Sequence, residues 1–394
     1  MSAMDHVRWL ADVIGPRGST AAGEFAAADY VFDVLERTEL RPVREPFRSA
    51  RSAWAPYSLL FGLVIAGGLV FWFVDRIGAI VALGLSIVAF ASALVEMRFR
   101  PNPLRWLLPK GSSRNVWAAI DARETADEQV VLVAHLDTHR TPLVFSTDAW
   151  VRLFEKLVPI GLGCVVLLIL LFALAIPLPG SPIKYAAIAP LLGVALGIFA
   201  LTLQAEFTPY TAGANDNASG VGVVLCLAER LAAEPLQRTS VHVLLTGCEE
   251  VGCYGADAFL RAHRHELGRA AWVSIDTVGT SDADPTYLKQ ERFLATTESD
   301  PHLLALADSV ARQRPELGAR PVETGGAYTE GAIGAKYGLR VLTLGSRNRA
   351  GMLSEWHRPT DTVANVSEAT IEATEAFVWA LLVKLDEQVH RDRA

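Results

Sequence analysis

A chain of 394 residues with 51% hydrophobic and 20% charged side chains and a mean hydropathy of +0.27 is apolar for a water-soluble enzyme of two or three domains, so its excess apolar residues must sit in membrane-length segments. A formal net charge of −7 without a clustered basic run excludes a nucleic-acid partner, which needs cationic surface to displace counterions. The four cysteines (Cys164, Cys226, Cys248 and Cys253) form no CxxC pair and no disulfide framework, which fits a reducing compartment, and the acidic opening MSAMDHVRWLADVIG gives no expectation of a cleavable signal peptide.

In chain order, the first distinctive elements are two uncharged blocks, residues 57–74 and 77–95, separated by Asp75 and Arg76. Each has about the 20 residues that cross a bilayer as a helix. A buried pair of soluble helices would keep a polar stripe, and these have none. The run QVVLVA at 129–134 then reads as a buried strand, followed by a second apolar pair, Leu157 to Pro179 and Tyr185 to Ala205, joined by a turn-rich stretch. Three further strand-like runs follow: SVHVLLTG at 240–247, AWVSI at 271–275 and LRVLTLG at 339–345. Amphipathic helical patterns at 220–233, 254–267, 300–313 and 368–388 alternate with them. The expected fold is therefore α/β, a mixed and mostly parallel sheet flanked by helices, with two inserted transmembrane hairpins.

The expected organisation is a polar domain assembled from residues 1–55, 98–153 and 206–394, interrupted by hairpins at 56–97 and 154–205. Two hairpins return the chain to one side each time. That side carries Arg48, Arg51, Arg98, Arg100, Arg105, Lys110, Arg152 and Lys156 near the spans, against Arg76 and Lys184 at the tips. The positive-inside rule then predicts an integral membrane protein of four helices with a cytoplasmic polar domain, which for a bacterial cell means the inner membrane. No ionisable residue falls well inside a span, which argues against transport.

In open α/β sheets, sites form beyond the carboxyl ends of strands. His135 and Asp137 follow the first strand-like run, Glu249 and Glu250 the second, Asp276 the third, and His357 lies in the loop after the fourth. Asp216, in GANDNASG, stands just before a helix start. Imidazole mixed with carboxylate suits zinc, or another divalent transition metal, better than calcium or magnesium. Asp216 suits a carboxylate bridging two ions. One of the paired glutamates can bind metal while its neighbour takes a proton, and Asp137 is spaced to orient the His135 ring.

Five segments in this order, AHLDT, GANDNASGVGVV, LLTGCEEVGCYGA, SIDTVG and WHRPTDT, resemble the co-catalytic zinc aminopeptidases, a family that includes bacterial leucyl aminopeptidase and aminopeptidase Y and is related to glutamate carboxypeptidase and glutaminyl cyclase. The N-terminal stretch from His6 to Glu36 is similar to the family's opening helix, so the likeness covers nearly all the polar chain. The resemblance implies a zinc-exopeptidase fold, two zinc ions and hydrolysis at peptide N-termini. It also implies His135 and Glu250 on one metal, Asp276 and His357 on the other, Asp216 between them, and Glu249 as general base. The alternatives are a two-metal carboxypeptidase or deacylase, a single-zinc glutaminyl cyclase, and an inactive scaffold or receptor. The NDNASG and WHRPTDT segments and the full set of five ligands favour the aminopeptidase. Gly331 and Gly334 depart from the family's usual SDHxxF-like run, which leaves the shape of the substrate pocket open.

Of the remaining side chains, His139 is a candidate for the pocket wall, and Tyr328 is a candidate oxyanion donor. His242 reads as structural and Cys248 as a small buried residue. The second hairpin is inserted between His135 and Asp216. This predicts a site close to the bilayer and peptide substrates that are apolar or derived from the membrane, with the lipid bilayer as the other partner.

Overall fold

The computed structural model describes residues 1–178, 180, 182–293, 295–349 and 351–391. The chain forms two compact units: Met1–Arg51 with Lys110–His139 and Tyr210–Ala394, and Ser52–Pro109 with Arg140–Pro209.

The first unit is built on a sheet whose strands are β1 (Val43–Ala50), β2 (Lys110–Ile120), β3 (Glu128–His135), β4 (Thr239–Thr246), β5 (Ala271–Ile275), β6 (Ala283–Arg292), β7 (Thr296–Glu298), β8 (Arg320–Gly325) and β9 (Arg340–Asn348). Their order is β1-β2-β4-β3-β5-β9-β6-β7, with β8 paired to β6. The four strands expected from the sequence are the parallel centre, β4-β3-β5-β9. Val130, Val131, Leu132, Val133 and Ala134 on β3 are all fully buried. Strands covered on both faces read as unbroken apolar runs. The antiparallel flanks escape that signal because they are half exposed and rich in polar residues, as in KGSSRNVWAAI and ADPTYLKQER.

Helices close both faces. The helix Gly220–Ala233 buries Val221, Val224, Leu227 and Leu231 at the spacing of one helical face. The helix Tyr254–Leu267 ends at Gly268, whose positive φ of 56° suits a residue without a side chain. Asp300 starts the helix Pro301–Gln313 by accepting hydrogen bonds from the backbone of His302 at 3.0 Å and Leu303 at 3.1 Å. The C-terminal helix Glu368–Arg391 completes the core with Phe377, Leu381 and Leu385.

The second unit consists mainly of the helices Ala55–Glu96, Asp148–Ala175 and Pro182–Ala205. The first is two helical limbs broken at Asp75, where φ is 43° and ψ is −111°. A side chain at Gly67 would come within 2.8 Å of the Ala82 Cα. In one straight helix these residues would stand about 22 Å apart, so the chain has doubled back. Asp75 also accepts a hydrogen bond from the Gly180 backbone at 3.1 Å, joining the two tips. Phe71 packs edge-on against Phe172 with ring centroids 5.5 Å apart, and Ser58 donates to Thr202 at 3.0 Å. At the base, Glu96 accepts from Arg105 Nε at 2.6 Å and from Asn102 at 2.9 Å.

All three helices are long and apolar enough to cross a membrane. Their outer faces leave Phe73 82%, Ile77 66% and Leu170 60% exposed, the kind of surface that lipid covers. The second of these helices begins at Asp148, earlier than the apolar block at Leu157, because Thr147 caps it by accepting from the Trp150 backbone at 3.3 Å. The expected end of that block at Pro179 and the side chain of Lys184 lie outside the described residues.

Candidate metal centre

The parallel strands deliver their polar residues to one edge of the sheet. His135 is the last residue of β3, Asp276 directly follows β5, and the turn after β4 carries Glu249 and Glu250. Asp216 lies in the buried segment Ala214–Ser219 before the helix Gly220–Ala233, and the Asp216–Asn217 peptide is cis. His357 comes from the loop after β9 and sits in the left-handed region at φ 54°.

The five expected ligands converge. His135 Nε2 lies 3.3 Å from Asp216 Oδ1 and 3.7 Å from Asp276 Oδ1. His357 Nε2 lies 3.3 Å from Asp216 Oδ2 and 3.3 Å from Glu250 Oε2. Asp216 therefore turns one oxygen to each histidine. These contacts set His135 beside Asp276 and Glu250 beside His357, and His135, Asp216 and Glu250, which the sequence resemblance brings together on one ion, also offer ligand atoms within 4.8 Å of one another.

The cluster fits a divalent cation. Glu250 Oε1 and Asp276 Oδ1 are buried without a hydrogen-bond partner, an expensive state for a carboxylate oxygen unless a cation takes it up. Burial pushes Glu249 well above the ordinary carboxylate range; His135 opposes the shift and Glu250 adds to it. Burial, reinforced by Asp216, lifts Glu250 to about 7. Burial works against protonation of His135, but the surrounding carboxylates of Asp137, Asp216 and Asp276 outweigh it and hold the ring well above its usual value. A divalent cation would supply the positive charge that these buried carboxylates call for.

Asp137 works differently from the expectation. His135 Nδ1 meets the Asp137 backbone carbonyl at 3.1 Å and the carboxylate only at 3.7 Å. The carboxylate instead accepts from the backbone of Glu249 at 2.9 Å, from that of Glu250 at 3.2 Å and from the Ser19 hydroxyl at 2.6 Å. It thus fixes the turn that presents both glutamates. Cys253 donates its thiol to Glu249 Oε1 at 3.2 Å.

Residues the sequence reading passed over complete the frame. Asp361, inside the WHRPTDT segment, accepts from the backbone of Asn215 at 2.7 Å and Asp216 at 3.1 Å. Arg17, 1% exposed, donates to the carbonyls of Leu10, Gly15, Leu136, Ala212 and Gly213 at 2.7–3.0 Å. It ties the N-terminal segment to the loops bearing His135 and Asp216. The buried Glu330 accepts from Thr246 at the end of β4.

His139 is buried and stacks on His357 at 3.7 Å, and its ring nitrogens come within range of a site shared with Glu250 and His357. Tyr328 packs edge-on against Phe293. His242 lies beside Trp117 on the sheet, and Cys248 meets Glu24. Neither His242 nor Cys248 joins the groups of metal-type side chains found among the described residues.

Residues 199–382 match the model of Peptidase family M28. The fold resembles that of BSAP, a zinc aminopeptidase from Bacillus subtilis, at 13% identity, TM-score 0.57, and coverage of 97% of this chain and 94% of that one. Glutaminyl cyclase from Tannerella forsythia superposes with TM-score 0.56 at 13% identity, covering 97% of each chain. An aminopeptidase from Aneurinibacillus sp. strain AM-1 gives TM-score 0.56 at 13% identity, covering 96% of this chain and 92% of that one. No curated protein matches the chain by sequence. The match to peptidase family M28 over residues 199–382, the fold and the convergent set of zinc-type side chains agree on a zinc-dependent metallopeptidase.

Proposed function

We propose that this metallopeptidase is a membrane-anchored aminopeptidase that uses two divalent ions, zinc above all. His135 and Asp276 would hold one, Glu250 and His357 the other, with Asp216 shared. The observation that carries this reading is Asp216, whose two carboxylate oxygens each stand 3.3 Å from a different histidine. Two divalent ions at such a site lower the pKa of water and polarise a carbonyl oxygen.

The protein's own part is proton transfer and positioning. Glu249 takes the proton from the attacking water and passes it to the departing amine. Its neighbour Cys253 holds one carboxylate oxygen at 3.2 Å, which leaves the other to carry the proton. Asp137 keeps Glu249 and Glu250 in place through their backbone N–H groups.

The three long apolar helices, one of them doubled at Asp75, support four membrane crossings. The basic residues flanking the spans support a cytoplasmic peptidase unit. The test uses full-length protein in detergent. Metal analysis should return two ions per chain, and chelation should abolish hydrolysis that zinc restores. A library of free and N-blocked peptides should show cleavage of the free ones alone. Cleavage of N-blocked peptides would favour the carboxypeptidase or deacylase reading, and a purified protein without metal or hydrolysis would leave a scaffold.

A further inference from the structure

Arg347 lies near the carboxyl end of β9, beside the metal cluster, and is 8% exposed. Its guanidinium donates to two neutral oxygens, the Ser346 carbonyl at 3.0 Å and the Thr324 hydroxyl at 2.9 Å. Among the described residues it has no carboxylate within ion-pair distance. The same holds for Arg320, which donates to the carbonyls of Arg347 at 3.4 Å and Asn348 at 3.3 Å, so one cation stands close behind another.

Gly345 locates the pair relative to the site. A side chain built there would meet the Asp276 carbonyl at 3.1 Å and Arg347 Nη1 at 3.3 Å. The guanidinium is therefore about one side chain's width from the backbone of Asp276. A buried charge is costly unless it is paired. The negative charge that reaches Arg347 is that of Asp276, and Asp276 is committed to the metal under the reading above. A loaded site leaves the arginine positive and without a counter-ion, next to the place where a peptide is cut. Guanidinium groups take carboxylates in paired, charge-assisted hydrogen bonds.

We propose that Arg347, backed by Arg320, forms a carboxylate-recognition site beside the metal cluster, so that the preferred substrates are short peptides offering a carboxylate there. This rests on the peptidase reading of the neighbouring cluster. The carboxylate is either the free C-terminus of a dipeptide or an acidic side chain.

The experiment measures affinity calorimetrically on zinc-loaded, full-length Glu249→Gln protein, which binds peptide without turning it over. The probes are Leu-Gln, Leu-Gln-amide and Leu-Glu-amide. At least tenfold tighter binding of Leu-Gln than of Leu-Gln-amide identifies the C-terminal carboxylate, and a similar margin for Leu-Glu-amide over Leu-Gln-amide identifies the side chain. Adding Arg347→Gln should erase whichever margin is seen while leaving Leu-Gln-amide affinity unchanged. Arg347→Lys should restore part of it, and Arg320→Gln should reduce it severalfold, which keeps the test decisive if Arg347→Gln does not fold. Equal affinity for all three peptides, no binding of any, or a margin that survives Arg347→Gln overturns the inference. Failure of wild-type protein to hydrolyse any peptide would instead remove the peptidase reading and leave the binding comparison standing.

Discussion

Glu249→Gln separates proton transfer from metal binding. Glutamine matches glutamate in shape, and its amide oxygen can still accept the Cys253 thiol now 3.2 Å from Oε1. The backbone N–H of residue 249 keeps its bond to Asp137 at 2.9 Å. None of the five ligands is touched, so zinc content and melting temperature should stay near wild type. What is lost is a group able to accept a proton. General-base catalysis contributes roughly 10²–10⁴-fold, so kcat should fall by about that factor, equivalent to about 2.7–5.5 kcal/mol of barrier. The assay is hydrolysis of an aminoacyl-anilide by detergent-purified protein, with elemental analysis of the same samples. Activity within about tenfold of wild type at full metal content would remove Glu249 as the base. Loss of metal would show that Glu249 is itself a ligand.

Three further outcomes follow from the same geometry. Asp216→Ala removes the carboxylate that faces both histidines, so elemental analysis should find neither ion; retention of two would assign the shared ligand elsewhere. Arg17→Met strips donors from five backbone carbonyls and should cost about 3–5 kcal/mol in denaturant unfolding, and a loss below about 1 kcal/mol would mean water replaces the guanidinium. Glu291, which accepts from Thr329 at 2.9 Å, is lifted by burial to about 7 against an ordinary value of 4.5. Below about 4.5 both states hold the proton. As pH rises toward 7 the unfolded chain releases it first, so stability is lost by up to about 3 kcal/mol. Glu291→Gln lacks this loss, and its melting temperature should gain on wild type between pH 5 and pH 8. Parallel curves would refute the shift.

The sequence by itself determined what local pattern and composition can encode. Runs such as QVVLVA and AWVSI are apolar at every position because both faces of β3 and β5 are covered, and the uncharged blocks announce membrane-length helices whatever surrounds them. The candidate site residues were legible because His135, Glu249, Glu250 and Asp276 each stand at or just past a strand end. The flanking strands β1, β2 and β6 to β8 were not, since half-exposed strands need no continuous apolar run. Only the tertiary structure decided that His357 meets Glu250, because they are more than a hundred residues apart in the chain and their loops come together solely through the sheet order. It likewise gave Asp137 to the backbone of the paired glutamates, and it set Arg347 against Asp276 with no acid of its own among the described residues. Spacing along a chain fixes which side chains share a strand or a helix face; the loops that carry chemistry are placed by what the rest of the chain packs beneath them.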